Sequence, residues 1–286
     1  MSNQIQVVIC QARSFRIARL ATFFQLGVSS FLLAGDWPQF RGPNTSPAIS
    51  GRYIEAAPGC PRCSPRQGLG PTPLNKLVYS ECHDEAGNDS GSLRTLPCAV
   101  NSAPIIGATR GYAEARARVA FSLSLFSAGT PMFFMGEEIG AQKIYVYNTF
   151  MANREDLFGE RTGNGAHLFR FYQDAIRFSG RHSAISSRAI DIIHVNGDAR
   201  VVAFTRHAGT DNLLLVASFN NQSFGSYSIQ TDPSRLTDGS WLESFNSDAT
   251  IYGGNNVGNA GGNLPAKNGQ LQLCIPANGI VILAKV

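Results

Sequence analysis

Two short acidic clusters each follow an apolar run. Leu77 to Ser80 leads into Glu81, Cys82, His83, Asp84 and Glu85, and Pro131 to Met135 leads into Gly136, Glu137 and Glu138. Cleavage or transfer of a glycosidic bond needs two carboxyl groups flanking the bond, one as acid and one as nucleophile or base. A third polar group that orients the sugar and stabilises positive charge at the anomeric carbon helps further, and His83-Asp84 at a strand end suits that role. Plainer readings exist for the same residues. His83-Asp84 also fits a helix cap or a satisfied loop pair, and Glu137-Glu138 the dipole-favoured first turn of a helix.

The elements between the clusters decide where they stand. Leu77 to Ser80 has the look of a short buried strand. From Tyr112 to Ser127 the spacing predicts a helix with Tyr112, Val119, Ala120, Leu123 and Phe126 on one face and Glu114, Arg116 and Arg118 largely on the other. Gly129 is a helix stop, and Pro131 opens a strand running through Met135. Strand, helix, strand is the layout of a parallel unit that keeps polar residues at the C-terminal ends of its strands. Leu168, Tyr172, Ala175 and Ile176 predict a further helix ending near Gly180. After Arg188 the pattern turns to short β-rich runs, AIDIIHV, RVVAFTR, NLLLVASF, SYSIQ, SWLESFN, QLQLCIP and GIVILAKV, separated by Gly, Asn and Asp turns such as Asn196-Gly197. They predict an antiparallel sandwich that folds independently of what precedes it, with Gly253 to Asn263 as a long flexible surface loop.

The ordered motifs carry a resemblance. Ser80-Glu81-Cys82-His83-Asp84-Glu85 resembles the fourth conserved region of the α-amylase superfamily (glycoside hydrolase family 13), and GTPMFFMGEE at Gly129 to Glu138 resembles its eighth-strand segment. The run from a His-Asp-Glu-x-Gly-Asn motif to an all-β ending is similar to 1,4-α-glucan branching enzymes over residues 76 to 286. HLFRFYQDAIRFSGRHSAI and VASFNNQSFGSYSI extend the similarity. The resemblance implies an α/β plus all-β fold: a C-terminal remnant of a (β/α)8 barrel, its last two βα units, over 76 to 187, then an antiparallel β-sandwich over 188 to 286. It implies retaining chemistry on α-1,4-glucan such as starch, glycogen or maltooligosaccharides. Asp84 would be the transition-state-stabilising carboxylate and His83 a sugar-hydroxyl ligand. Glu138 is the second candidate catalytic carboxyl, and Glu81, Glu85 and Glu137 are candidate substrate contacts. No cofactor or metal is called for. The family's nucleophilic Asp and acid Glu belong to earlier strands, and nothing between Met1 and Leu77 matches those segments; the only acids there are Asp36 and Glu55. The catalytic set is therefore expected to be incomplete, which leaves a non-catalytic glucan-binding or structural fragment as the alternative.

Composition bounds the rest. The chain has 286 residues, 43% hydrophobic and 15% charged, which fits a loop-rich β-containing protein better than a helical bundle. A net charge of +4 without a basic cluster interleaved with aromatics gives no support to nucleic-acid binding. Residues 1 to 35 carry Arg13, Arg16 and Arg19 ahead of an apolar stretch from Leu20 to Ala34, the layout of a signal peptide or of an amphipathic helix. Export is expected if that signal is used, and a cytoplasmic location otherwise. Residues 36 to 75 read as an irregular Pro/Gly linker. Within it, DWPQFRGPN at Asp36 to Asn44 resembles the opening of propeller proteins with the quinone-dehydrogenase-like repeat, or is a Trp/Phe loop anchor. Cys60 and Cys63 have the spacing of half a zinc site or a redox pair, yet no second pair completes them. Glu155, Asp156 and Glu160 read as a solvated stretch, and Trp241 and Tyr252 as core rings or sugar platforms. The first strand of so short a barrel remnant would present an open edge, favouring self-association or cover by the N-terminal segment.

Overall fold

The computed structural model describes residues 54–55, 76–88, 91–187 and 189–286. The signal-like segment, the linker apart from residues 54–55, DWPQFRGPN, Cys60 and Cys63 lie outside the described residues. No helix among those described is long and apolar enough to cross a membrane.

The first half is small and built around one parallel pair. Strand β1 (Ile54–Glu55) runs antiparallel to β2 (Lys76–Val78), which pairs in parallel with β3 (Thr130–Pro131), Leu77 opposite Thr130 and Val78 opposite Pro131. Helix α1 (Thr95–Cys98) and helix α2 (Gly107–Phe126) form the crossover between β2 and β3. The expected edge of β2 is thus paired, over two residues, by the N-terminal segment. The second strand is shorter than predicted, because Gly136 and the turn of Glu137–Ile139 pull the chain away from the sheet just after Pro131. His83-Asp84 and Phe133-Phe134 therefore sit just beyond the ends of two adjacent parallel strands. Helices α3 (Leu157–Thr162), α4 (Ala166–Arg181) and α5 (Ser183–Ser186) follow.

Two helix faces differ from expectation. Tyr112 is exposed, whereas Glu114, Arg116 and Arg118 of α2 are buried. The reason is that α2 is enclosed on most sides, so its polar side chains must find partners inside. Arg116 donates to Ala99 O and Asn221 Oδ1, Arg118 donates to Tyr252 O, and Glu114 accepts from Arg110. In α4 the buried residues are Leu168, Phe171, Tyr172 and Ala175, while Ile176 turns to solvent.

The second half is all-β, as the sequence predicts. Its strands are β4 (Ile190–Asn196), β5 (Val201–Ala208), β6 (Asp211–Ser218), β7 (Phe224–Gln230), β8 (Gly239–Asn246), β9 (Asn263–Lys267), β10 (Gln270–Ile275) and β11 (Gly279–Lys285). They form one antiparallel sheet in the order β4-β5-β6-β11-β8-β9-β10-β7. The sheet curls on itself, so that Ile193, Ala203, Val216 and Leu283 share a core with Ile229, Trp241, Leu271 and Ile275. His194 Nε2 and the Tyr227 hydroxyl, 2.8 Å apart, link the first and last strands of that order. Trp241 and Tyr252 are both core residues.

The other face of the sheet is not solvated. Val202, Phe204, Leu213, Leu215, Ala217, Ile280 and Ile282 pack in one cluster with Phe121, Leu125 and Phe126 of α2 and Phe171 and Ala175 of α4. This is why β5, β6 and β11 read as continuous apolar runs while β7 and β10 alternate. The fully buried Arg206 fastens the contact, donating to the carbonyls of Phe126, Ser127, Ile185, Ser187 and Ala189. A 188 to 286 segment folding by itself would have to do without this contact, in which Val202, Phe204, Leu213, Leu215 and Ile280 share a core with the helices. Residues 253 to 263 also depart from a flexible loop. Glu243 accepts from Asn259 and Gly261, Asp248 from Asn256 and Val257, and Asn259 spans to Cys274.

Candidate functional site

The chain leaves β2 through Tyr79 and Ser80 and folds at once into tight turns. Ala86 N donates to Cys82 O (2.8 Å) and Asn88 N to Asp84 O (2.9 Å), while the Asn88 side chain reaches back to His83 O (2.5 Å). A strap from Ile144 to Tyr147 lies across this loop. Tyr145 N donates to Ala86 O (2.7 Å) and Tyr147 N to the Asn88 side chain (2.9 Å). Gly87, at φ +143°, makes that approach feasible, since a Cβ there would meet Ile144 Cβ at 2.6 Å.

On this base His83 and Asp84 project outward. Their side chains are 59% and 53% exposed, and His83 Nε2 stands 3.6 Å from Asp84 Oδ2. The Tyr147 hydroxyl donates to Asp84 Oδ1, and its ring lies 5.8 Å from that of His83. The bond to Asp84 pushes the Tyr147 pKa up to about 12, so the hydroxyl remains a donor at neutral pH. Tyr145, whose ring meets that of Tyr147 at 5.9 Å, also lines a cleft of about 620 Å³ with Phe150, Met151, Arg154 and Phe158.

The other acids are placed differently from the sequence expectation. Glu81, Glu85 and Glu137 are only 2–3% exposed and face the interior rather than the open side of the site. Glu81 receives Arg94 Nε at 2.9 Å, Thr95 N at 2.6 Å and Thr95 Oγ1 at 3.0 Å, and Arg94 also donates to Met135 O at 2.7 Å. This ties the end of β2 to the loop after β3. Burial raises the Glu81 pKa, against the pull of Arg94 and Thr95. Glu137 accepts from the Ser80 hydroxyl, from Tyr172 at 2.8 Å and from Phe134 N at 3.3 Å. Burial, reinforced by the charge of Glu81, pushes its pKa from the usual 4.5 to about 8. Glu85 lies beneath Cys82, whose thiol points to Glu85 Oε2 at 3.7 Å. Glu138 turns back on its own loop, accepting from Gly136 N at 2.7 Å, with no hydrogen bond or ion pair to Asp84 among the described residues. The structure thus brings together His83, Asp84 and Tyr147, and makes Glu81 and Glu137 the buried supports beneath them.

Arg94, Tyr147 and Tyr172 were not foreseen. Only Asn88, inside the His-Asp-Glu-x-Gly-Asn run, carried a local signal. The stretch at 155–160 is also more than a solvated surface, since Glu155 accepts from Gln142 N and Lys143 N, and Asp156 caps α3 through Gly159 N. The thiols at Cys82, Cys98 and Cys274 are free.

Comparison with known proteins bears on both halves. Residues 192–286 match the family described as the alpha amylase C-terminal all-beta domain. Over 186 residues the chain is 28% identical to 1,4-alpha-glucan branching enzyme GlgB of Prochlorococcus marinus (strain NATL1A), covering 60% of this chain and 23% of that enzyme. A GlgB from Marinobacter nauticus is 29% identical over 161 residues, covering 51% of this chain and 23% of its own. The chain spans about a quarter of the length of these curated relatives. Among solved structures, an AmyP variant in complex with maltotriose aligns with a TM-score of 0.50 at 18% identity, over 67% of this chain and 38% of that one, a likeness of fold.

Proposed function

From a C-terminal segment that matches the alpha amylase C-terminal all-beta domain and a wider stretch similar to glucan branching enzymes, we propose that this chain is an α-glucan-active member of the α-amylase family with an incomplete catalytic set. In this reading residues 76 to 187 are the last two units of a (β/α)8 barrel. The observation that carries it is the exposed His83-Asp84 pair just past the C-terminal end of β2, beside a parallel neighbour, with Asp84 held in place by Tyr147. That is where a barrel enzyme keeps its chemistry.

The roles follow from the placement. The two oxygens of Asp84 accept sugar hydroxyls, and the carboxylate faces positive charge developing at an anomeric carbon. The His83 imidazole hydrogen-bonds a further hydroxyl. The aromatic cleft beyond Tyr145 supports the rest of an α-1,4-linked chain through ring stacking. Retention requires two more carboxyls about 5–5.5 Å apart across the bond. Among Glu81, Glu85, Glu137 and Glu138, the last alone is not fully buried, and it is engaged by Gly136. The same observation favours the second reading, a glucan-binding fragment without turnover of its own.

Titration of the purified chain with maltoheptaose, alongside a starch-turnover assay, tests both. We expect binding that Asp84→Ala weakens by about 1.5–3 kcal/mol, the scale of hydrogen bonds to a charged group, together with little or no turnover. Robust turnover by homogeneous protein, abolished by Asp84→Asn, would overturn the incomplete-set reading. Absence of any maltooligosaccharide binding would overturn the glucan site itself.

A further inference from the structure

We propose that Cys82, His83 and Asp84 together bind a divalent transition-metal ion of the zinc class. The Cys82 sulfur, a His83 ring nitrogen and an Asp84 carboxylate oxygen lie within 4.8 Å of one another. Zinc takes sulfur at about 2.3 Å and nitrogen or oxygen at about 2.0–2.2 Å, so the edges of its tetrahedron run about 3.3–3.7 Å. His83 Nε2 and Asp84 Oδ2, at 3.6 Å, already stand at such an edge. The Cys82 sulfur completes the group within 4.8 Å of both.

The backbone that carries the three ligands is already fixed. The carbonyl of Cys82 is held by Ala86 N, that of His83 by the Asn88 side chain, and that of Asp84 by Asn88 N. Tyr147 occupies Asp84 Oδ1 and leaves Oδ2 toward the imidazole, the kind of outer partner that orients a metal-bound carboxylate. Glu85 Oε2, 3.7 Å from the sulfur, buttresses the buried side. A sulfur, a ring nitrogen and one carboxylate oxygen suit zinc, cobalt or copper over magnesium or calcium, which prefer all-oxygen shells. Cys82 is buried while His83 and Asp84 are exposed, so a fourth position faces solvent. On coordination the thiol proton passes to solvent.

Resting on the glucan reading above, the ion has a second consequence: it occupies the two groups assigned to the sugar, so metal and glucan compete. The full chain carrying Cys60→Ser and Cys63→Ser, which removes the other closely spaced thiols, is titrated with Co²⁺ and with Zn²⁺. One equivalent of Co²⁺ is expected to produce a thiolate-to-cobalt charge-transfer band that Cys82→Ser abolishes. His83→Ala, at an exposed position, is expected to weaken zinc more than tenfold, and Tyr147→Phe on the order of tenfold. Zinc affinity unchanged in both Cys82→Ser and His83→Ala would overturn the site. Maltoheptaose affinity unchanged by saturating zinc would overturn the competition. Failure of the metal-free protein to bind maltoheptaose, with the cobalt band intact, would sink the glucan reading and leave the metal site standing.

Discussion

At the scale of single residues, the exposed chemistry of the site depends on a glycine that performs none. Gly87 sits where a side chain would collide with Ile144 Cβ at 2.6 Å and with Tyr145 O at 2.9 Å. Gly87→Ala should push the strap outward, carry Tyr147 away from Asp84 and cost about 1–3 kcal/mol. A lowered melting temperature together with weaker maltoheptaose binding is expected; unchanged values of both would show that the strap does not position Tyr147. Glu137 gives a prediction in pH. Its folded pKa of about 8 lies above the usual 4.5, so between those values the folded protein holds a proton that the unfolded chain has released. Stability contributed by this group is therefore complete at the acid end and is lost as pH rises through that window. Glu137→Gln keeps an oxygen for Ser80 and Tyr172 and removes the titration. The decline in melting temperature from about pH 5 to about pH 8 should flatten by a few degrees in the variant, and an identical slope would contradict the assignment. His83 and Asp84 were legible because their motif is contiguous. The burial of Glu81 and Glu137 was not, since their partners Arg94 and Tyr172 lie 13 and 35 positions away.

At the scale of elements, what the sequence misjudged was which faces meet water. Arginines and a glutamate along α2 read as a solvent face by type alone. They are buried because Ala99, Asn221 and Tyr252, distant in the chain, present oxygens to the arginines. Strand β9 went unseen for a local reason: Asn263–Lys267 is short, contains Pro265 and follows a glycine-rich stretch, so no periodicity marks it. The long apolar strands were plain, because a strand buried on both faces needs no alternation to be recognised. Arg206 joins the two kinds of element. Burial lowers its pKa to about 10, which leaves it charged at neutral pH, and its hydrogen-bond partners among the described residues are backbone carbonyls. Arg206→Met would strand those carbonyls and should cost at least about 3 kcal/mol. Chemical denaturation of the variant with an unchanged midpoint would show that water replaces the guanidinium without penalty.

At the scale of the whole molecule, the two halves share the cluster that runs from Phe121 and Phe171 to Leu215 and Ile282. The all-β class was readable from the turn-separated runs, but this sharing was not, because nothing in a run of Val, Leu and Ile names its neighbour. Residues 188 to 286 produced alone should keep β structure yet expose Val202, Phe204, Leu213 and Ile280. We expect that fragment to melt below the full chain and to associate in sedimentation experiments. A monomeric fragment with the melting temperature of the full chain would argue that the helices merely rest on the sheet.

The position of β11 carries a consequence for how the protein comes into being. This strand lies between β6 and β8, and the register Val281 opposite Val216 on one side and Asn246 on the other makes it the seam between the two parts of the sheet. It is also the last in chain order of the eight strands of this sheet. Until it inserts, β4 to β6 and β7 to β10 are separate ribbons with bare edges, and both can pair wrongly. Closure of this half therefore depends on a strand that lies C-terminal to every strand it joins, so the sheet is completed by pairings of long sequence separation.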